Sequence, residues 1–222
     1  MRRIPTTLGA CSAVALATCA IATTAASAAP PEFSPPFPNP FTSTSGAMTL
    51  QTVGKVKVLC KADTNKGQVS GPTTALVTIR FTGCTTTAVA GVLCQSPNGA
   101  PGEIATEMLF GTLGYVSKTP LEVGLDLSNP TGGPMLVFTC GALRGEVFGS
   151  VIGRITPLNK LVKPGAHVTL KFAQKAGHQA IPMLLGGPLD VPLTRLGGGP
   201  LEESGLASTD KLTFAAPIVI IA

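Results

Sequence analysis

Four stretches of the chain alternate apolar and polar residues with a period of two. In Lys55–Cys60, Val56, Val58 and Cys60 share one face, and Lys55 and Lys57 share the other. In Val77–Thr82 the apolar set is Val77, Ile79 and Phe81, against Thr78, Arg80 and Thr82. Leu121, Val123, Leu125 and Leu127 alternate with Glu122, Gly124 and Asp126, and Val168, Leu170 and Phe172 with His167, Thr169 and Lys171. Successive side chains of a strand point to opposite sides, so each stretch predicts a strand with one buried and one wet face. No segment sustains a helical period. Stacking two such sheets gives a sandwich and closing one gives a barrel. The expected fold is all-β, an antiparallel β-sandwich, with a β-barrel as the alternative.

Where the alternation breaks, the residues are turn formers. Asp63-Thr64-Asn65-Lys66-Gly67 reads as a turn, Ser96–Gly102 and Asn129–Pro134 as loops, and the Gly/Pro-rich stretch 185–205 as a looser region. With 26 Gly and 20 Pro in 222 residues, such punctuation suits many short strands. Pro30–Pro40 holds six prolines, which lock φ and remove donors, so 29–46 is expected to be an extended lead-in outside any central strand. The remainder, 47–222, reads as a single β-domain. Its apolar end, Pro217–Ala222, is too short to span a membrane and is expected to be a closing strand.

Residues 1–28 have the three parts of a secretory signal: Arg2 and Arg3, an uncharged Ala-rich run, and Ala26-Ser27-Ala28 before a cut at Ala29. Secretion is the expected localisation, with no transmembrane segment in the mature chain. Cys11 and Cys19 leave with the signal. The other four, Cys60, Cys84, Cys94 and Cys140, read as two disulfides in an exported domain. Spacing alone allows three connectivities. Strand parity favours Cys60–Cys140 in the core and Cys84–Cys94 as a local clasp. Against Cys60–Cys84, a hairpin turning at Asp63–Gly67 would hold the two apart by about eight residues of strand. That is roughly 27 Å at about 3.4 Å per residue, far beyond the roughly 4–7 Å a disulfide spans.

Candidate chemistry is sparse. No nucleophile elbow, zinc-protease helix motif or phosphate loop is present, and the cysteines lack zinc-knuckle spacing, so no cofactor and no metal is implied. His167 and His178 read as solvated. Asp63-x-Asn65-x-Gly67 has the opening of a calcium loop, but Thr74 stands where the bidentate Glu belongs, so a plain turn is the better reading. Sugar-stacking aromatics are missing, with no Trp and one Tyr. Formal net charge is +5, an ordinary value. One charge pattern stands out. Between Glu146 and Asp190 no acid occurs, yet Arg154, Lys160, Lys163, Lys171 and Lys175 do. They form either a solvated face or a basic strip for an anionic polymer of the cell wall; without aromatic interleaving, nucleic acid is not an expected partner.

Several segments together resemble a family of secreted actinobacterial proteins with no assigned activity. They are Val56-Lys57-Val58-Leu59-Cys60, Phe81-Thr82-Gly83-Cys84, Gly102–Thr106, Leu113-Gly114-Tyr115 and Gly149–Gly153, with Pro31-Glu32-Phe33 at the start of the mature region. The resemblance spans most of residues 31–175 and implies export and a β-fold, without site residues. The resulting expectation is a secreted, non-enzymatic β-protein with a structural, adhesive or binding role, its partner an anionic wall polymer or another surface protein. A secreted hydrolase with a site assembled from distant residues is the alternative.

Overall fold

The computed structural model of the chain describes residues 29–222. Residues 1–28, read above as a secretory signal and holding Cys11 and Cys19, lie outside the described residues. Every helix-free stretch of alternation named above forms a strand, and there is no helix among the described residues. The first ten strands are β1 (Glu32–Phe33), β2 (Asn39–Ser45), β3 (Met48–Thr52), β4 (Lys57–Cys60), β5 (Ala62–Gly71), β6 (Thr74–Thr82), β7 (Thr85–Thr86), β8 (Cys94–Gln95), β9 (Ile104–Ala105) and β10 (Leu109–Lys118). They are followed by β11 (Leu121–Ser128), β12 (Leu136–Cys140), β13 (Leu143–Phe148), β14 (Ser150–Thr156), β15 (Val168–Phe172), β16 (Gln174–Lys175), β17 (His178–Gln179), β18 (Leu193–Leu196), β19 (Leu201–Phe214) and β20 (Ile220–Ile221).

Eight strands close into an antiparallel barrel in the order β2–β5–β6–β10–β11–β14–β15–β19, with β19 returning to β2. The barrel, not the sandwich, is therefore the fold. Closure rests on β19: Lys211 pairs with Thr169 of β15 on one side and Thr44 of β2 on the other. A sandwich and a barrel demand the same in–out alternation, so the hydrophobic pattern alone does not separate them. Inside, Val77, Ile79, Leu113, Val123, Leu125 and Leu170 are buried. Gly153 is needed there, because a Cβ would come within 2.7 Å of Leu170 Cδ1 and Phe172 Cε1.

The remaining larger strands form a second ring, β3–β4–β7 on one side of β19 and β18–β13–β12–β8 on the other. It uses the N-terminal half of β19, where Ser204 pairs with Thr52 and Glu203 with Leu193. β7 and β8 meet only at the Thr85–Leu93 bridge and where the Cys94 N–H donates to the Cys84 carbonyl at 2.9 Å. The chain runs from ring to ring with bends of one or two residues: β2 into β3, β4 into β5, β6 into β7 and β13 into β14, while β19 passes through unbroken. The two rings thus share a waist.

The disulfides are Cys60–Cys84 and Cys94–Cys140, not the predicted Cys84–Cys94 and Cys60–Cys140. The reason is the turn. Asp63–Gly67 lies inside β5, and the reversal comes at Pro72-Thr73, so Ala62 pairs with Thr82 and the Lys61 N–H donates to the Thr82 carbonyl. Cys60 and Cys84 follow directly at that same end. Cys94 and Cys140 sit opposite one another in the β8–β12 ladder. Cys84 and Cys94 are adjacent, as parity suggested, but through a backbone hydrogen bond.

The Pro-rich segment is not a free lead-in. β1 pairs with β20, Phe33 and Phe41 are buried, and β2 is a barrel strand between β5 and β19. Pro40, near the start of β2, faces outward and accepts from the Ala215 N–H at 2.9 Å, so it costs the ladder little. The stretch 185–205 contains β18 and the start of β19, and the apolar end pairs as predicted through β20.

Candidate functional site

Most inward positions of the barrel are apolar, but one sector at the waist is not. Across β5, β2 and β19 the inward register rows read Asp63–Ser45–Asp210 and Asn65–Ser43–Leu212, with Ser208 the inward position before Asp210. Asp63, Asp210 and Asn65 are 2%, 3% and 5% exposed. Asn65 Nδ2 donates to Ser43 Oγ at 2.5 Å and to Asp210 Oδ1 at 2.8 Å. The Ser208 hydroxyl donates to Asp210 Oδ2 at 3.1 Å, and the Ser45 hydroxyl to Asp63 Oδ2. Asp63 Oδ1 and Asn65 Oδ1 have no hydrogen-bond partner. Burial, reinforced by the charge of Asp63 and a hydrogen bond with its carboxyl, pushes Asp210 up to about 7.

Two carboxyls in mutual reach are the raw material of acid–base catalysis. Access is what this pair lacks. Ser43, Asn65 and Asp210 line a cavity of about 20 Å³ walled otherwise by side chains such as Phe41, Leu125 and Leu170. That is room for about one water, against roughly 300–1,000 Å³ for a small-molecule pocket. A second small cavity, about 50 Å³, lies among Met48, Leu50, Leu136, Val147 and Leu206 of the second ring and is apolar.

The histidines form no triad. His178 Nδ1 lies 3.0 Å from Glu203 Oε1, the imidazole exposed and the carboxylate half-buried, and no hydroxyl or thiol among the described residues hydrogen-bonds that imidazole. His167 Nδ1 meets Thr213 Oγ1 at 3.0 Å on the outer wall, without a carboxylate behind it. On the second ring an open cleft of about 380 Å³ is lined by Arg144, Glu146 and Arg195, where Glu146 bridges both guanidiniums at 2.8 and 3.4 Å. Among the described residues no three His, Cys, Asp or Glu side chains converge on a metal position.

The basic strip divides. Arg154 and Lys171 stand directly opposite on β14 and β15, although Arg154 is also paired with Glu122 at 2.8 Å. Lys160 and Lys163 are exposed in the connection from β14 to β15, and Lys175 stands on the β16–β17 hairpin beside the second ring, where Gln174 and Gly177 approach Gln51 and Thr52. Two lysines missed in the sequence complete the wall instead. The outward rows run Arg154–Lys171–Thr209, then Thr156–Thr169–Lys211–Thr44–Thr64–Arg80, then Thr213–Thr42–Lys66–Thr78. Lys66, Lys171 and Lys211 have no carboxylate within 4.0 Å among the described residues, and Arg80 is held by Glu103 at 2.7 Å. Shallow grooves of about 430 and 310 Å³ flank this wall, one at Lys171 and Thr209, the other at Lys66 and Thr78. The signal for Lys211 was present, in the alternation of Lys211 and Thr213 with Leu212 and Phe214.

No protein-family model matches the chain, and neither the curated proteins nor the solved structures contain a match to it. No helix among the described residues is long and apolar enough to cross a membrane. Both disulfides are compatible with an oxidising compartment.

Proposed function

We propose that this chain is an exported, non-enzymatic scaffold that binds an anionic polymer of the cell envelope through the Lys66–Lys171–Lys211 wall of its barrel. The observation that carries this reading is the wall itself, three unpaired lysines set among ordered rows of exposed threonines. Lysines on a rigid sheet offer point charges at fixed spacing, and threonine hydroxyls between them donate to phosphate or carboxylate oxygens. Outward threonine and lysine is also the reverse of the apolar band that a lipid-facing barrel wall carries. The closed interior supports a binding role over a catalytic one, because the one buried carboxyl pair has no room for a substrate beside it. Export and kinship with the secreted actinobacterial family belong to the same proposal.

The test is co-sedimentation of the disulfide-intact protein with cell-wall fragments bearing phosphodiester polymer. Retention is expected to be saturable and to fall as salt rises, since exposed charges are screened. The triple variant K66E/K171E/K211E should fold normally, its positions being exposed, and should lose most of the retention. Retention unchanged in that variant, or absent at low salt, overturns the proposal.

A further inference from the structure

Away from the lysine wall, the second ring carries a charged cleft of its own. The outward rows of β12, β13 and β18 read Thr139–Arg144 and Val137–Glu146–Arg195, and the turn from β18 to β19 adds Gly197-Gly198-Gly199. Arg144, Glu146, Arg195, Gly198 and Gly199 line the open cleft of about 380 Å³. We propose that this cleft binds a small organic acid of about dipeptide size, its carboxylate held by the guanidiniums of Arg144 and Arg195 and the rest of the molecule lying along the glycine turn.

Both guanidiniums are held in place without a ligand. Glu146, its side chain 18% exposed, accepts at Oε1 from Arg144 Nε and Nη2 at 3.3 and 2.8 Å, and at Oε2 from Arg195 Nη1 at 3.4 Å. Arg195 also lies over the Phe148 ring, 5.5 Å from its centroid. Groups fixed beforehand lose little freedom on binding. Each guanidinium has about five N–H donors, so these three hydrogen bonds leave most of them free, and no other carboxylate lies within 4.0 Å of either arginine among the described residues. Gly198, at φ +78°, bounds the cleft with bare backbone, and a Cβ there would meet nothing within 4 Å.

Charge and size select the ligand. Two guanidiniums against one carboxylate leave a single positive charge, which a monoanion balances; a phosphate monoester, at about −1.5 to −2, would leave an excess. A planar carboxylate also accepts paired N–H groups from a guanidinium side by side. The volume lies near the lower end of the roughly 300–1,000 Å³ of small-molecule pockets. Because the cleft is open, solvent and salt screen the attraction and binding is weak and reversible.

The experiment is an NMR titration of the ¹⁵N-labelled, disulfide-intact mature chain at low ionic strength. The probes are N-acetyl-alanyl-alanine, its C-terminal amide and methyl phosphate. The acid should shift the Gly198 and Gly199 amides and the Nε–H signals of Arg144 and Arg195, saturating with a Kd of about 1 mM, the affinity of about fourteen heavy atoms at ordinary ligand efficiency. The amide, which has the same shape without the charge, should shift none of them. R144Q/R195Q should weaken acid binding by about tenfold or more, as loss of charge-assisted hydrogen bonds does. Those side chains are 61% and 41% exposed, so the variant should fold. E146Q doubles the net positive charge and should move the preference from the acid toward methyl phosphate by about fivefold, the effect of one charge at about 4 Å in water. No shift at about 20 mM acid, equal binding of acid and amide, or unchanged binding in R144Q/R195Q overturns the site and leaves an ion-pair network in its place. An unchanged preference in E146Q overturns the match to a monoanion. Wall-polymer binding is read separately with K66E/K171E/K211E, so either proposal can fail alone.

Discussion

Every neighbouring pair of barrel strands is joined by a ladder, from three paired positions between β14 and β15 to nine between β5 and β6. The second ring closes through two-residue strands, β7 and β8, and one isolated bridge. Both disulfides stand at that seam, one tying β4 to the start of β7 and the other tying β8 to β12. Backbone ladders close the first ring without covalent help. Neither bond crosses the single bridge between β7 and β8; each fastens one of those short strands to its other ladder neighbour. The cysteines are therefore placed by the weakest point of the second ring rather than distributed over the fold.

The largest expected effect comes from cutting that seam. Loop lengths set by sequence separations of 24 and 46 residues put the two bridges at about 3.5 and about 4 kcal/mol on the loop-entropy scale. Against a total of roughly 5–15 kcal/mol, losing either matters. Replacing Cys60 and Cys84, or Cys94 and Cys140, with alanine should lower the unfolding free energy read from denaturant titration by that amount. Hydrogen exchange should then open β7, β8 and β12 while β10 and β11 stay protected. If the β10 and β11 amides exchange as fast as the seam, the rings unfold as one unit and the contrast between them fails.

Packing gives the next contrast. Phe138, fully buried on β12, lies over Gly145 of β13, its partner in the ladder. F138A should cost about 3–5 kcal/mol, and it removes the largest fully buried side chain from the second ring. In the barrel the corresponding test is overfilling: G153A sets a methyl against Leu170 and Phe172 and should cost about 1–3 kcal/mol. Denaturant midpoints of the two variants check the order. A larger loss for G153A would make the barrel interior the less forgiving of the two.

The sequence made the strands legible wherever inward residues were apolar. Val77, Ile79 and Phe81 and Val168, Leu170 and Phe172 were readable because in–out alternation is local. β5 was not, because its inward residues Asp63 and Asn65 are polar and Gly67 follows them, a composition that imitates a turn. That single misreading displaced the reversal from Pro72-Thr73 and with it the cysteine pairing. It also hid the buried cluster, whose other half, Ser208 and Asp210, lies 145 residues from Asp63 and Asn65 respectively. Ladder closure by β19 is a long-range event of the same kind. The basic wall was half legible: Lys171 and Arg154 fell in a run without acids, whereas Lys66 was lost inside the supposed turn.

The smallest effect isolates the polar sector that sets the barrel apart from the second ring. Burial and the neighbouring Asp63 hold Asp210 up at about 7, against an ordinary value of 3.8 in the unfolded chain. Between those values the folded protein binds the extra proton, so stability falls as pH rises from about 4 through about 7 and levels off above. The direction is opposite to that of a carboxylate held by a cation, whose loss comes on acidification. D210N carries no proton to lose and keeps an amide in the hydrogen-bonded site, so its stability should decline less over that window, the difference from the parent being a few kcal/mol at most. The measurement is urea denaturation of both proteins at pH 5 and pH 8. Identical pH dependence would remove Asp210 as the titrating group. A parent protein that instead gains stability with pH would mean that the dyad is ionised and compensated within the barrel. The waist would then be as well satisfied as the disulfide-bound seam.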